Sequence, residues 1–196
     1  MNKTLQLHLT LECRDRNGKL LWKIRRKSKS FVIAYFRNME SLAIFGAATG
    51  TCLDTAGVAR TISASGAGAH GRMNAAAANI NYGIVVGTGI GAVVPADYRL
   101  NPLIAHGIGA GQLQYAACAV GAATIVGGDT ILTISRAFTN GSGAAITVNE
   151  IGIYADCFDN AATDRYWCFV RDLVVPGRVI NNLATATATY TLSATA

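Results

Sequence analysis

Leucine recurs at positions 5, 7, 9 and 11, with Gln6, His8, Thr10 and Glu12 between, so one face of an extended segment is apolar and the other polar. That alternation predicts a half-buried strand over residues 4–13. Asp15, Asn17 and Gly18 supply a turn, and residues 19–27 return as a second strand. From residue 30 the period changes. Apolar residues at 32, 35, 36, 39, 42, 43 and 45 follow helical spacing, which predicts a helix over 31–45 with Ser30 as its cap and Gly46 as its stop. Residues 47–78 are mostly Ala, Gly, Ser and Thr. They are expected to hold one weak strand at 58–62 and a Gly/Ala loop at 63–71.

Further along, strands are predicted at 79–87, 112–120, 129–138, 144–155 and 165–171, with a Thr/Ala-alternating strand at 185–195. Residues 94–100 read as a loop or a single helical turn after Pro95. The strongest local signal is Asn140-Gly-Ser-Gly143, flanked by two runs of alternating β-branched and polar residues, which predicts a β-hairpin over 131–155. Seven to nine closely spaced strands with one helix predict a mainly β protein, an antiparallel β-sandwich with a packed N-terminal helix. No linker divides the chain. Residues 1–196 are expected to form one domain, with the basic hairpin and helix of residues 1–46 able to stand as an appendage.

Composition adds a direction. Charged residues make up 14% of the chain, well below the usual quarter, and Gly accounts for 21 residues. A surface so poor in charge suits a protein that hides much of it against neighbours, so oligomeric assembly is expected. The charge is also uneven. Residues 1–30 hold nine Lys or Arg against Glu12 and Asp15, a net of +7, whereas the other residues hold eight against nine, a net of −1. Lys23, Arg25, Arg26, Lys27 and Lys29 are the densest part and form the candidate interface. Such a run can meet an acidic protein surface or nucleic-acid phosphates, or can be a solvated edge kept from aggregating. No interleaved aromatic residue or recognised nucleic-acid motif accompanies it.

Candidate chemistry is sparse. Gly87-Thr-Gly-Ile-Gly-Ala92 follows a strand and matches a dinucleotide pattern, but Pro95 falls within the first turns of the helix that site needs, and no acidic residue follows at the ribose position. A cofactor is not expected. The five cysteines at 13, 52, 118, 157 and 168 lack Cys-x-x-Cys spacing and read as buried thiols of a reducing cytoplasm. His8, His70 and His106 are scattered, and Asp156, Asp159 and Asp164 read as a polar turn without the ligand spacing of a calcium loop. No Gly-x-Ser-x-Gly elbow occurs, so no catalytic residue is assigned. Residues 1–30 are too charged for a secretory signal, and the apolar runs 31–36 and 42–48 are too short to span a membrane. Neither membrane association nor a small-molecule substrate is expected.

Three segments carry a resemblance. Residues 84–107, Ile-Val-Val-Gly-Thr-Gly-Ile-Gly-Ala-Val-Val-Pro-Ala-Asp-Tyr-Arg-Leu-Asn-Pro-Leu-Ile-Ala-His-Gly, resemble a run in tailed-bacteriophage virion structural proteins that precedes paired strands. Residues 138–155 and Val170-Arg-Asp-Leu173 resemble the later part of those proteins, which ends in a Thr-rich strand. The basic hairpin followed by Ser30-Phe-Val-Ile-Ala-Tyr-Phe is similar to their N-terminal region. Residues 177–182 depart from the pattern, where a turn richer in Pro and Gly is usual. The resemblance implies a non-enzymatic particle component, made in the host cytoplasm and assembled with copies of itself and other virion proteins in the tail, baseplate or neck. Alternatives are a capsid decoration or cement protein and, in another class, a monomeric carbohydrate-binding module using Trp22, Trp167, Tyr82, Tyr98 and Tyr115. Packaged DNA or an acidic protein surface is the partner implied for the basic hairpin.

Overall fold

The computed structural model describes residues 5–28, 30–64 and 70–195. β1 (Leu5–Arg14) and β2 (Leu20–Ser28) form the predicted first hairpin, with the Asp15 carboxylate accepting the amides of Asn17 and Lys19 to close the turn. Leu7, Leu9 and Leu11 of β1 lie inward, buried, Leu5 at its start is exposed, and Gln6, His8, Thr10 and Glu12 lie on the outer face. β13 (Thr185–Thr195) runs antiparallel to β1 in unbroken register from Leu5 opposite Ala194 to Arg14 opposite Thr185. On its other side β13 pairs with β10 (Asp129–Thr139). The expected strand at 112–120 is broken into β7 (Gln114–Tyr115) and β8 (Ala119–Val120), and with β9 (Thr124–Val126) these pair successive stretches of β10. The break has a cause: between β7 and β8 the Cys118 amide leaves the ladder to bond the Ala75 carbonyl. The first sheet thus runs β2-β1-β13-β10 with three short pieces at its far edge.

The second sheet is built on β11 (Ile146–Phe158) and β12 (Asp164–Ile180), with β5 (His70–Arg72) and β6 (Gly83–Gly87) along the other side of β11. β11 is buried on both faces through its middle, because the first sheet covers one side and loops cover the other. β3 (Cys52–Leu53) and β4 (Ala59–Arg60) make a separate two-stranded piece. The protein is mainly β, with antiparallel sheets and, among the described residues, one helix, α1 (Ile33–Ile44). Among the described residues thirteen strands replace the expected seven to nine, and six of them are only two or three residues long.

Two expectations are corrected. Asn140-Gly-Ser-Gly143 does not close a hairpin: β10 lies in the first sheet and β11 in the second, so the segment is an arch between layers. Asn140 is fully buried and explains the turn. Its side-chain amide donates to the Ala144 and Ile180 carbonyls at 2.7 Å each, its Oδ1 accepts from Ser142, and its backbone pairs with Leu183 and Ala184. The return crossing, from β12 to β13, lies alongside, and Asn182 Oδ1 accepts the Gly143 amide at 3.0 Å.

The helix is where its spacing places it, but Ser30 does not cap it. The Ser30 hydroxyl donates instead to Asp172 at 2.9 Å, Val32 occupies the cap position, and Phe45, not Gly46, takes the left-handed stop at φ 48°. Nor is the large apolar face buried. α1 packs through Ala34, Asn38 and Ser41, whose small size lets it lie close to the second sheet, while Phe36, Met39, Ile44 and Phe45 stay exposed.

Candidate functional site

The basic strand divides by its pleat. Lys23, Arg25 and Lys27 are exposed on the outer face of the first sheet, whereas Arg26 turns inward and donates through Nη2 to the Leu173 carbonyl of β12. Lys29 lies outside the described residues. Trp22, on the same inward side as Arg26, donates to the Val179 carbonyl at 2.8 Å, so one side of β2 fastens the sheets together and the other faces solvent. Lys23 is 3.2 Å from Glu12, which Arg14 also approaches. Among the described residues neither Arg25 nor Lys27 has an ion-pair partner. His8 stands opposite Lys27 and opposite Thr191. Partial burial, then Arg25 and Lys27, holds its imidazole below the ordinary histidine value. Beyond this edge the outer face is hydroxyl-bearing: Thr10, Thr189 and Ser135 form one cross-strand row, and Thr191 and Thr133 extend that of His8.

A second cluster joins the segments that carried the resemblance. Glu150 of β11 is fully buried; its Oε1 accepts the amides of Asn101 at 2.7 Å and Gly89 at 3.3 Å, and its Oε2 is 2.8 Å from Arg171 Nη2. Arg171 also meets Asp97 at 2.9 Å and the carbonyls of Gly91 and Ala92. A Cβ on Gly87 or Gly89 would come within 2.5 or 2.6 Å of Glu150 Oε1, and within 2.7 or 2.4 Å of a backbone oxygen. The glycines of the Gly-x-Gly run therefore admit a carboxylate and a neighbouring chain, not a pyrophosphate. This cluster pins loop 87–104 to β11 and β12, with the one guanidinium shared between two carboxylates.

Arg136 forms a third buried site. It is 1% exposed, lies over Tyr115, and gives its guanidinium to five carbonyls: Ala116, Tyr82, Ile84, Ala76 and Asn79. The charge is solvated by backbone oxygens and the Tyr115 ring, and the loops around residues 76–82 and 116 are held by it.

Other sequence candidates are separate. His106 accepts the Tyr115 amide through Nδ1, His8 lies on the outer sheet face and His70 on β5. Asp156 is buried against Arg72, and Asp159 accepts from Arg60 and Arg165. Among the described residues no group of three His, Cys, Asp or Glu side chains is placed to hold a metal ion. All five cysteines are free and buried, and burial pushes the Cys13 and Cys52 thiols up to about 11, away from thiolate chemistry at neutral pH. Trp167 and Tyr115 are core residues, closed to a stacking sugar. No described helix is long and apolar enough to cross a membrane.

No family model, curated protein or solved structure matches this chain. Its surface must be read from its own geometry. Beside α1 an apolar groove of about 540 Å³ opens between the helix and the first sheet. Leu7, Leu132 and Leu192 line one wall, and Phe31, Tyr35 and Met39 the other. Phe36, whose ring adjoins that of Phe31, is 56% exposed, and Phe45 at the end of the helix is 74% exposed.

Sequence reasoning missed Glu150, Arg171 and Arg136. Arg136 had a signal, since it stands between Ile134 and Phe138 in the inward register of β10. Glu150 and Arg171 had none, because their partners are tens of residues away.

Proposed function

We propose that this protein is a non-enzymatic structural component of a tailed-phage particle that assembles in multiple copies in the tail, baseplate or neck. The observation that carries the reading is the apolar surface on α1. A helix that packs through Ala34, Asn38 and Ser41 and turns Phe36, Met39, Ile44 and Phe45 to solvent wastes its hydrophobic face unless a neighbour covers it. The groove beside it extends that surface inward. With charged residues at only 14%, a neighbouring copy is the partner that composition favours. Supporting the virion reading, the segments that resemble phage structural proteins, residues 84–107, Glu150 in 138–155 and Arg171 in 170–173, meet in one buried cluster, as parts of one structural unit would.

Light scattering on the size-fractionated protein tests it. The native chain is expected as a defined multimer at micromolar concentration, and replacing Phe36, Met39 and Phe45 together by Ser is expected to give a folded monomer. A native protein that stays monomeric would overturn the proposal. So would a triple variant that assembles like the wild type.

A further inference from the structure

The outer face of the first sheet points to a second partner: we infer that Lys23, Arg25 and Lys27, with the hydroxyl rows beside them, bind the phosphate backbone of duplex DNA without reading its sequence. The inference names a partner for the assembly reading, and its chemistry does not depend on that reading.

Of the chain's eleven carboxylates, seven are in ion pairs with its own Arg or Lys side chains. Asp172 is buried and accepts from Ser30 and Tyr190, and Asp15 closes the first turn. That leaves Asp129 and Asp164, one in each sheet and far too few to form an acidic patch. A second copy therefore has nothing with which to neutralise this edge, and the complement must be a different, polyanionic molecule.

Geometry then favours a phosphate chain over an acidic protein. Cations at alternate positions of one strand recur every 6.6–6.8 Å or so, from a rise of about 3.3–3.4 Å per residue. Phosphates on one strand of a duplex advance by about 3.4 Å each along the helix axis, so the row of cations has the charge density to face a run of them. Exposed Arg16 and Lys19 prolong the ridge at the hairpin turn. Thr10, Thr189, Thr191 and Thr133 lie behind the cations as neutral hydroxyl donors, the side chains that commonly accompany Arg and Lys at phosphates. Among the described residues no Phe, Tyr or Trp lies on this face, so it has neither the anchors of a protein interface nor a platform for unstacked bases. The carboxylates in its register are Glu12, held by Lys23 and Arg14, and Asp129, three strands away on β10.

His8 reports on the same field. The charges nearest it are Lys27 opposite and Arg25 diagonal on β2, while its β13 neighbour Thr191 is neutral. A bound polyanion cancels those two cations, so the His8 pKa is expected to rise on binding, and binding to tighten as pH falls through it.

The test is fluorescence anisotropy with a labelled mixed-sequence duplex between about 50 and 200 mM salt, where each neutralised phosphate contributes about 0.9 to the slope of log K against log salt. Arg25→Gln with Lys27→Gln is expected to lower that slope by about 2 and to weaken binding about tenfold or more at the low-salt end. Arg99→Gln, an exposed cation elsewhere, is expected to leave the slope unchanged. An NMR titration should show the His8 pKa moving upward with DNA. An unchanged slope in the double variant, an equal loss in Arg99→Gln, a static His8 or equal binding to polyglutamate would each overturn the assignment, the last in favour of an acidic protein. A wild type that assembles but ignores DNA removes this inference alone. One that binds DNA as a monomer removes only the assembly reading.

Discussion

At the scale of single residues, buried polar side chains hold the loops. Arg136 donates to five carbonyls from one buried guanidinium, so Arg136→Met should remove all five bonds at once and cost about 3 kcal/mol or more. Arg136→Lys keeps the charge with fewer donors and should fall between. Urea melts at constant m-value would show the order. Gly89→Ala should destabilise by about 1–3 kcal/mol, since its methyl would land 2.4 Å from the Asn101 carbonyl, which is backbone and cannot swing away. Glu40 offers a pH test. The Thr49 hydroxyl first, and Arg37 second, hold its carboxyl down to about 2. A depressed carboxylate contributes fully above its unfolded value and loses that contribution as pH falls from about 4.5 toward 2. The Thr49 amide, which donates to Glu40, should therefore shift in NMR across that window, and Glu40→Gln should abolish the transition.

At the scale of elements, alternation was legible and connectivity was not. The leucine face of β1, the Thr/Ala alternation of β13 and the first turn could be read directly, because their pattern is local and one face is buried. The segment at 140–143 carried a strong turn signal that fits a hairpin and an arch equally. What decides between them is Asn140 reaching Ile180, forty residues on. Asn140→Asp should then be as damaging as Asn140→Ala, on the order of 2–3 kcal/mol, because a carboxylate cannot donate to those two carbonyls. Thermal unfolding of the pair would check it. The helix was legible in place but not in face: apolar periodicity says which side is hydrophobic, not whether its own chain covers it. The Gly-x-Gly run was visible, yet its meaning came from Glu150, roughly sixty residues away.

At the scale of the whole molecule, the surface has two unlike regions. One is the apolar helix and groove, the other the cationic and hydroxyl-rich outer sheet. They lie on different elements, so a lattice closed through the first leaves the second facing away from that contact. If both proposals hold, the α1 triple Ser variant should still bind duplex DNA, with a lower apparent affinity because avidity is lost. Anisotropy on that monomer would measure the difference.

The place of β13 between β1 and β10 has a consequence for synthesis. The first hairpin emerges early from the ribosome, with a row of leucines and no sheet to join. It must wait until residue 195 has been translated before its neighbour can slot in. Closure is then necessarily late and slow, as expected where pairing spans most of the chain. A cationic ridge at that nascent edge would also repel other half-made chains and so oppose edge-to-edge pairing.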